Sequence, residues 1–224
     1  MRKLTRAMVA LPCVLFGVGA CITEVREKRG HLAIPGTLDR SGPEETTEAK
    51  QAKCREWIAE LAMEGAPLAS QPHRTLHLVK QLVEHLPFST TSMLEVGVTH
   101  ANPKVRENCA FVLCYANEER AEAALLKLLD DSAEAVRLSA AASLIVGFDN
   151  RAGVPPLLRA LYSGERHYRA EAIKNLSIYT QQYFGYHPDA PTAEREFAAA
   201  KYHQWWRENR DTFVSPLRGR PKGK

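Results

Sequence analysis

Val105-Arg106-Glu107-Asn108-Cys109-Ala110-Phe111-Val112-Leu113, Val136-Arg137-Leu138-Ser139-Ala140-Ala141-Ala142-Ser143-Leu144 and Tyr168-Arg169-Ala170-Glu171-Ala172-Ile173-Lys174-Asn175-Leu176 are three versions of one stretch. Aligned on the arginine, they recur at spacings of 31 and 32 residues. The residue before each arginine is apolar or aromatic. Those three, four and seven places after it are small or apolar, and the last is always leucine. This spacing puts one apolar stripe on a helix, with small residues that admit a neighbouring helix closely.

Each stripe follows another apolar helix. Leu125, Leu126 and Leu129 correspond to Leu157, Leu158 and Leu161 at a spacing of 32, and Met93, Leu94 and Val98 hold the equivalent place in the first unit. The unit is therefore helix, short turn, helix. Alone it cannot bury its stripe, so it must stack on the next one. The sequence predicts an all-α solenoid of stacked helical hairpins.

These residues resemble HEAT repeats, including their short bacterial type, over about residues 91–180. The second unit fits best, with Asp131 six residues before Arg137 like the Asp and Arg of that family's inter-helix turn. The resemblance implies a side-chain ladder along the stack. The first unit has His100 and the third has Ser163 at the Asp position, so the ladder is incomplete.

Helices at 47–86 are expected to close the N-terminal end. Ser41-Gly42-Pro43-Glu44 has capping-box spacing, which starts the first helix near Glu44. Cys54, Trp57, Ile58, Leu61 and Ala62 share its inward face, and Gly65 and Pro67 end it. A second helix over 72–86 turns Leu76, Val79, Leu82, Val83 and Leu86 inward and stops at Pro87. At the other end, Phe184-Gly185-Tyr186-His187-Pro188-Asp189-Ala190-Pro191, followed by Arg195, Ala198, Trp205 and Trp206, is similar to the terminal segment of certain bacterial HEAT-repeat proteins. It reads as a loop and a closing helix, capped by Asp189 or Thr192, with Ala198, Tyr202 and Trp205 covering the last repeat.

Outside the helices the chain changes character. Arg2, Lys3 and Arg6 precede an apolar run that stops at Val18-Gly19-Ala20-Cys21. That is the layout of a secretion signal over residues 1–20. The run is short for a membrane-spanning helix, which needs ~20 apolar residues. Small residues directly before Cys21 resemble the lipobox of bacterial lipoproteins. The resemblance implies lipid on Cys21 and a chain exported to the cell envelope, anchored to a membrane. Residues 21–46, mixed in charge and dotted with Gly and Pro, read as a lipidated flexible tether. The helical domain is expected over 47–213 and a basic disordered tail over 214–224.

The charge is informative once it is located. The chain has 30 basic and 26 acidic residues, a net of +4. Without the three bases of the signal and Arg218, Arg220, Lys222 and Lys224 at the end, 23 bases face 26 acids. A broad nucleic-acid face on the body is not indicated. Arg218-Gly219-Arg220-Pro221-Lys222 resembles the core of an AT-hook, which implies a minor-groove contact. Arg218, Arg220 and Lys222 are the candidates for that reading, or for contact with anionic lipid. An exported, tethered domain favours the lipid.

Chemistry-bearing constellations are sparse. Past Cys21 the cysteines are Cys54, Cys109 and Cys114, an odd set with no Cys-x-x-Cys pair, which argues against a disulfide framework. His73 and His77 share a helix face, but no glutamate adjoins the first and no third ligand follows, so neither metal nor cofactor is expected. The expected function is non-enzymatic: a monomeric, membrane-tethered scaffold or adaptor for a protein partner. DNA binding through the tail, or a HEAT-like enzyme of the lyase type, is the alternative. In such solenoids the second helix of each unit lines the concave face. Its residues outside the core stripe are the candidate contacts: Glu107, Asn108, Phe111, Leu138, Ser139, Glu171 and Lys174.

Overall fold

A computed structural model describes residues 45–63 and 72–217 of the chain. The signal, Cys21, Ser41, Gly65 and Pro67, and the part of the basic tail from Arg218 on, with Arg220 and Lys222, lie outside the described residues. Among those described, every regular element is helical. α1 spans Thr47–Ala62, α2 Pro72–Glu84 and α3 Phe88–Ser92, which runs on into a π-helical turn at Met93–Gly97. Then come α4 Pro103–Leu113, α5 Glu119–Leu128 and α6 Glu134–Gly147. A 3-10 turn at Arg151–Gly153 leads into α7 Val154–Ala160, α8 Arg166–Thr180 and α9 Thr192–Asn209.

The three repeated stretches are α4, α6 and α8. They are stacked in sequence order, α4 on α6 and α6 on α8, while each first helix packs on its own second helix. α5 and α7 make little contact with each other. The second helices thus form the tighter layer. The residues three, four and seven places after each arginine are buried in all three units: Cys109, Ala110 and Leu113, then Ala140, Ala141 and Leu144, then Ala172, Ile173 and Leu176.

The central helix departs from a one-sided stripe. Every residue from Leu138 to Ile145 is buried. Ala140 and Leu144 join the core shared with α1 to α5, while Leu138, Ala141 and Ile145 join the core shared with α7 to α9. A helix gripped from both sides must be small-sided. The Ser143 hydroxyl donates to the Ala110 carbonyl of α4 at 2.9 Å. Gly153 lies so close to the Ala141 carbonyl oxygen and Ile145 that an added Cβ would collide with both. Gly97 meets the Cys109 sulfur in the same way.

Three boundaries differ from the expectation. α1 is capped by Thr46, whose hydroxyl accepts from the Ala49 amide at 3.2 Å, so the helix starts at Thr47 rather than near Glu44. α2 ends at Glu84, and its wall includes Leu78, 2 % exposed, while Leu76 is only half-buried. At the far end neither Asp189 nor Thr192 caps α9. Pro191 is the N-cap residue, Asp189 pairs with Arg166, and the Thr192 hydroxyl accepts from Arg195. Of the adjacent tryptophans Trp206 is the buried one, and Trp205 is half-buried against Phe184 and Phe213. Tyr202 is buried as expected, its hydroxyl donating to the Gln182 carbonyl at 2.6 Å. No helix among the described residues is long and apolar enough to cross a membrane.

Candidate interaction surface

Two features of the second helices could serve recognition: the arginine ridge at their N-terminal ends, and the accessible face of α4 and α8. The ridge is built by one repeated device. Arg106 donates from Nη1 to the carbonyls of His100 at 2.7 Å and Ala101 at 3.1 Å. Arg137 does the same to Asp131 at 2.6 Å and Ser132 at 2.9 Å, and Arg169 to Ser163 at 2.9 Å and Gly164 at 2.8 Å. The arginine of each unit thus satisfies carbonyls that end its own first helix and turn. The side chain at the ladder position caps that turn: His100 Nδ1 accepts from the Asn102 amide, Asp131 from Ala133, and Ser163 from Glu165. Histidine, aspartate and serine share this role because each offers an acceptor at short reach.

Only the aspartate does more. Its carboxylate takes a two-pronged bond from Arg106 of the preceding unit, Nε to Oδ2 and Nη2 to Oδ1, both at 2.7 Å. The side chains are 13 % and 9 % exposed. The hydrogen bonds from Arg106 hold the Asp131 carboxyl below the usual carboxylate range. In the last unit the closing segment supplies acceptors instead. The Pro188 carbonyl accepts from Nε and Nη2 of Arg169, and Asp189 pairs with the exposed Arg166. Tyr186 is buried and donates to the Leu161 carbonyl.

The face of the second helices holds five of the seven candidate contacts in partly accessible positions. Glu107, Asn108, Phe111 and Glu171 are half-buried and Lys174 is exposed. Glu107 pairs with Lys104 at 3.0 Å, Asn108 donates to the Lys104 carbonyl at 2.9 Å, and Phe111 meets Tyr115 edge to face. The other two do not belong to the surface. Leu138 is 2 % exposed, in the core with α7 and α8. Ser139 is 5 % exposed and donates to the Glu107 carbonyl at 2.9 Å. The central helix is buried on both flanks, so positions that are open in an edge unit are closed in it.

Glu107 of α4 and Glu171 of α8 act on each other across α6. Burial foremost, then Glu107, pushes the Glu171 carboxyl from its ordinary 4.5 up to about 7, against the opposing pull of Lys174 and Lys104. The group binds a proton more tightly when folded. Its contribution is therefore complete below about 4.5 and is lost as pH rises through about 7. The loss is on the order of 3 kcal/mol from the size of the shift. Glu171→Gln should remove this dependence: thermal melts of the variant should match wild type near pH 4.5 and lie several degrees higher at pH 8. Equal melting differences at both pH values would refute the assignment.

His73 and His77 are both exposed on α2. No group of three metal-ligating side chains occurs among the described residues. No disulfide joins Cys54, Cys109 and Cys114, and burial pushes the Cys109 thiol up to about 12. The main-chain acceptors of the arginine ridge and the Glu107–Glu171 coupling were beyond sequence reading, because they depend on the path of each turn and on the distance across α6.

Residues 91–177 match the family model of HEAT repeats. No curated protein matches the chain. The matched span covers the three hairpins from the π-helical turn almost to the end of α8. Over that span the chain carries HEAT-like repeats, and its fold is an all-α, HEAT-like solenoid.

Proposed function

We propose that the chain is a non-enzymatic scaffold for a protein partner, exported and held at the bacterial envelope by lipid on Cys21. HEAT repeats generally serve as protein-interaction scaffolds. The observation that carries the reading is the face of α4 and α8. There Phe111 and Tyr115 meet edge to face at the C-terminal end of α4, and Lys104, Glu107, Glu171 and Lys174 form an interacting set of charges of both signs. Such a mixture of an aromatic anchor with charges of both signs suits a protein surface better than a phosphate backbone. Fold alone does not fix this assignment, so the face itself must be tested.

A photo-crosslinking amino acid placed at 107 or 174, in the full chain produced in a bacterial host, should give one discrete adduct. The same probe at Lys127, exposed on α5, should give none. Equal adducts from all three positions, or none from any, would defeat the scaffold reading. Separately, Cys21→Ala should release the chain from the membrane fraction and abolish fatty-acid labelling; a wild type that takes up no lipid would remove the anchor.

A further inference from the structure

The arginine ridge has one open rung. Arg106 is filled by Asp131, Arg166 by Asp189, and Arg169 by the Pro188 carbonyl. Arg137 uses Nη1 on its own turn. Its Nε and Nη2 make no hydrogen bond among the described residues, because the next unit offers Ser163 where the preceding joint has Asp131. The Ser163 hydroxyl is engaged with the Glu165 amide at 3.2 Å. Between the two units lies a half-open cleft of about 240 Å³ lined by Arg137, Ser163 and a second guanidinium, Arg159. Leu138 and Pro156 give it an apolar lining, and Tyr162, 48 % exposed, lies beside them. Glu134 also lines it, but forms no ion pair with either arginine among the described residues, which leaves a net positive cleft.

We propose that this cleft binds an aspartate or glutamate side chain of the protein partner, its carboxylate taking the place that Asp131 holds on Arg106. The chain fills the equivalent fork in two ways, on Arg106 with a carboxylate held by two parallel N–H···O bonds and on Arg169 with the Pro188 carbonyl, and the second guanidinium of Arg159 in the cleft favours the charged group at Arg137. The apolar lining suits the methylene stem of such a side chain. The inference rests on the scaffold reading, but its readout is Arg137 and not the crosslinks at 107 and 174, so the two can fail separately.

The test uses the full chain, purified in a neutral detergent, with the Arg137 Nε–Hε resonance followed by NMR at constant ionic strength. Acetyl-Gly-Asp-Gly-amide should shift that resonance saturably, and acetyl-Gly-Asn-Gly-amide should not. Ser163→Asp fills the rung from within while keeping the turn acceptor, as Asp131 does. It should raise the melting temperature and weaken the peptide's effect tenfold or more. Arg159→Gln, at an exposed position, should weaken it severalfold. A resonance indifferent to the Asp peptide, or shifted equally by the Asn peptide, would overturn the proposal. So would an undiminished shift in folded Ser163→Asp. Inorganic phosphate acting more strongly than the Asp peptide would make the cleft a general anion site and remove the protein carboxylate as its occupant.

Discussion

Leu144→Asp should abolish the cooperative thermal transition of the helical domain. Leu144 is wholly buried, on the helix that both halves of the core share, and packs in the cluster that includes Cys109, Leu113 and Leu125. A carboxylate there has no partner and cannot reach water, so the site must either protonate it or open. Losses above ~4–5 kcal/mol are exceptional for single substitutions and arise from such buried, unpaired charges. A domain of ordinary stability, ~5–15 kcal/mol, would keep little or nothing in reserve. Leu144→Met supplies the control, because a volume-conserving apolar exchange costs less than ~1.5 kcal/mol. Circular dichroism through a thermal ramp distinguishes them. A sharp transition in Leu144→Asp within a few degrees of wild type would contradict the packing.

The next largest effect is expected at Asp131, and serine is the informative replacement. Asp131→Ser keeps an acceptor for the Ala133 amide, as Ser163 does for Glu165, and removes only the carboxylate that Arg106 holds. The pair is partly buried and Arg106 keeps its two carbonyl partners, so losing the carboxylate should cost up to ~3 kcal/mol, the upper range for hydrogen bonds to charged groups. Asp131→Ala should cost more, since the turn loses its acceptor too, by ~1 kcal/mol. The pH profile gives a second check. The carboxyl is depressed in the fold, so its stabilisation is present above the ordinary 3.8 and disappears as pH falls through the lower folded value. In Asp131→Ser that acid-side loss should shrink. Denaturant melts showing no difference between wild type and Asp131→Ser would mean that the rung contributes nothing.

The repeat arithmetic made the fold legible. Three arginines in phase, with small or apolar residues at fixed offsets, define three hairpins because the helical period converts spacing directly into a face. The same arithmetic could not distinguish an edge helix from a central one. Leu138 and Ser139 look solvent-facing by period, yet they are buried because α6 is covered on both sides. Trp206 rather than Trp205 faces inward for a related reason: the rotation of α9 is set by what it lands on, not by its own composition. Capping was legible only locally. Ser41-x-x-Glu44 and Thr46 both have suitable chemistry, and the helix uses Thr46. The ridge was half legible: Asp131 and the arginines were visible, but which unit's arginine the carboxylate meets depends on how the hairpins stack.

The way each arginine binds carbonyls of its own turn has a mechanical consequence. A hairpin braced from within keeps its shape when its neighbour shifts, so strain on the stack concentrates in the joints rather than in the blocks. The first joint is clamped by a two-pronged ion pair at one edge. The second has no such clamp on Arg137. Under a bending load the array should therefore yield first between the second and third hairpins, like a chain with one loosened link.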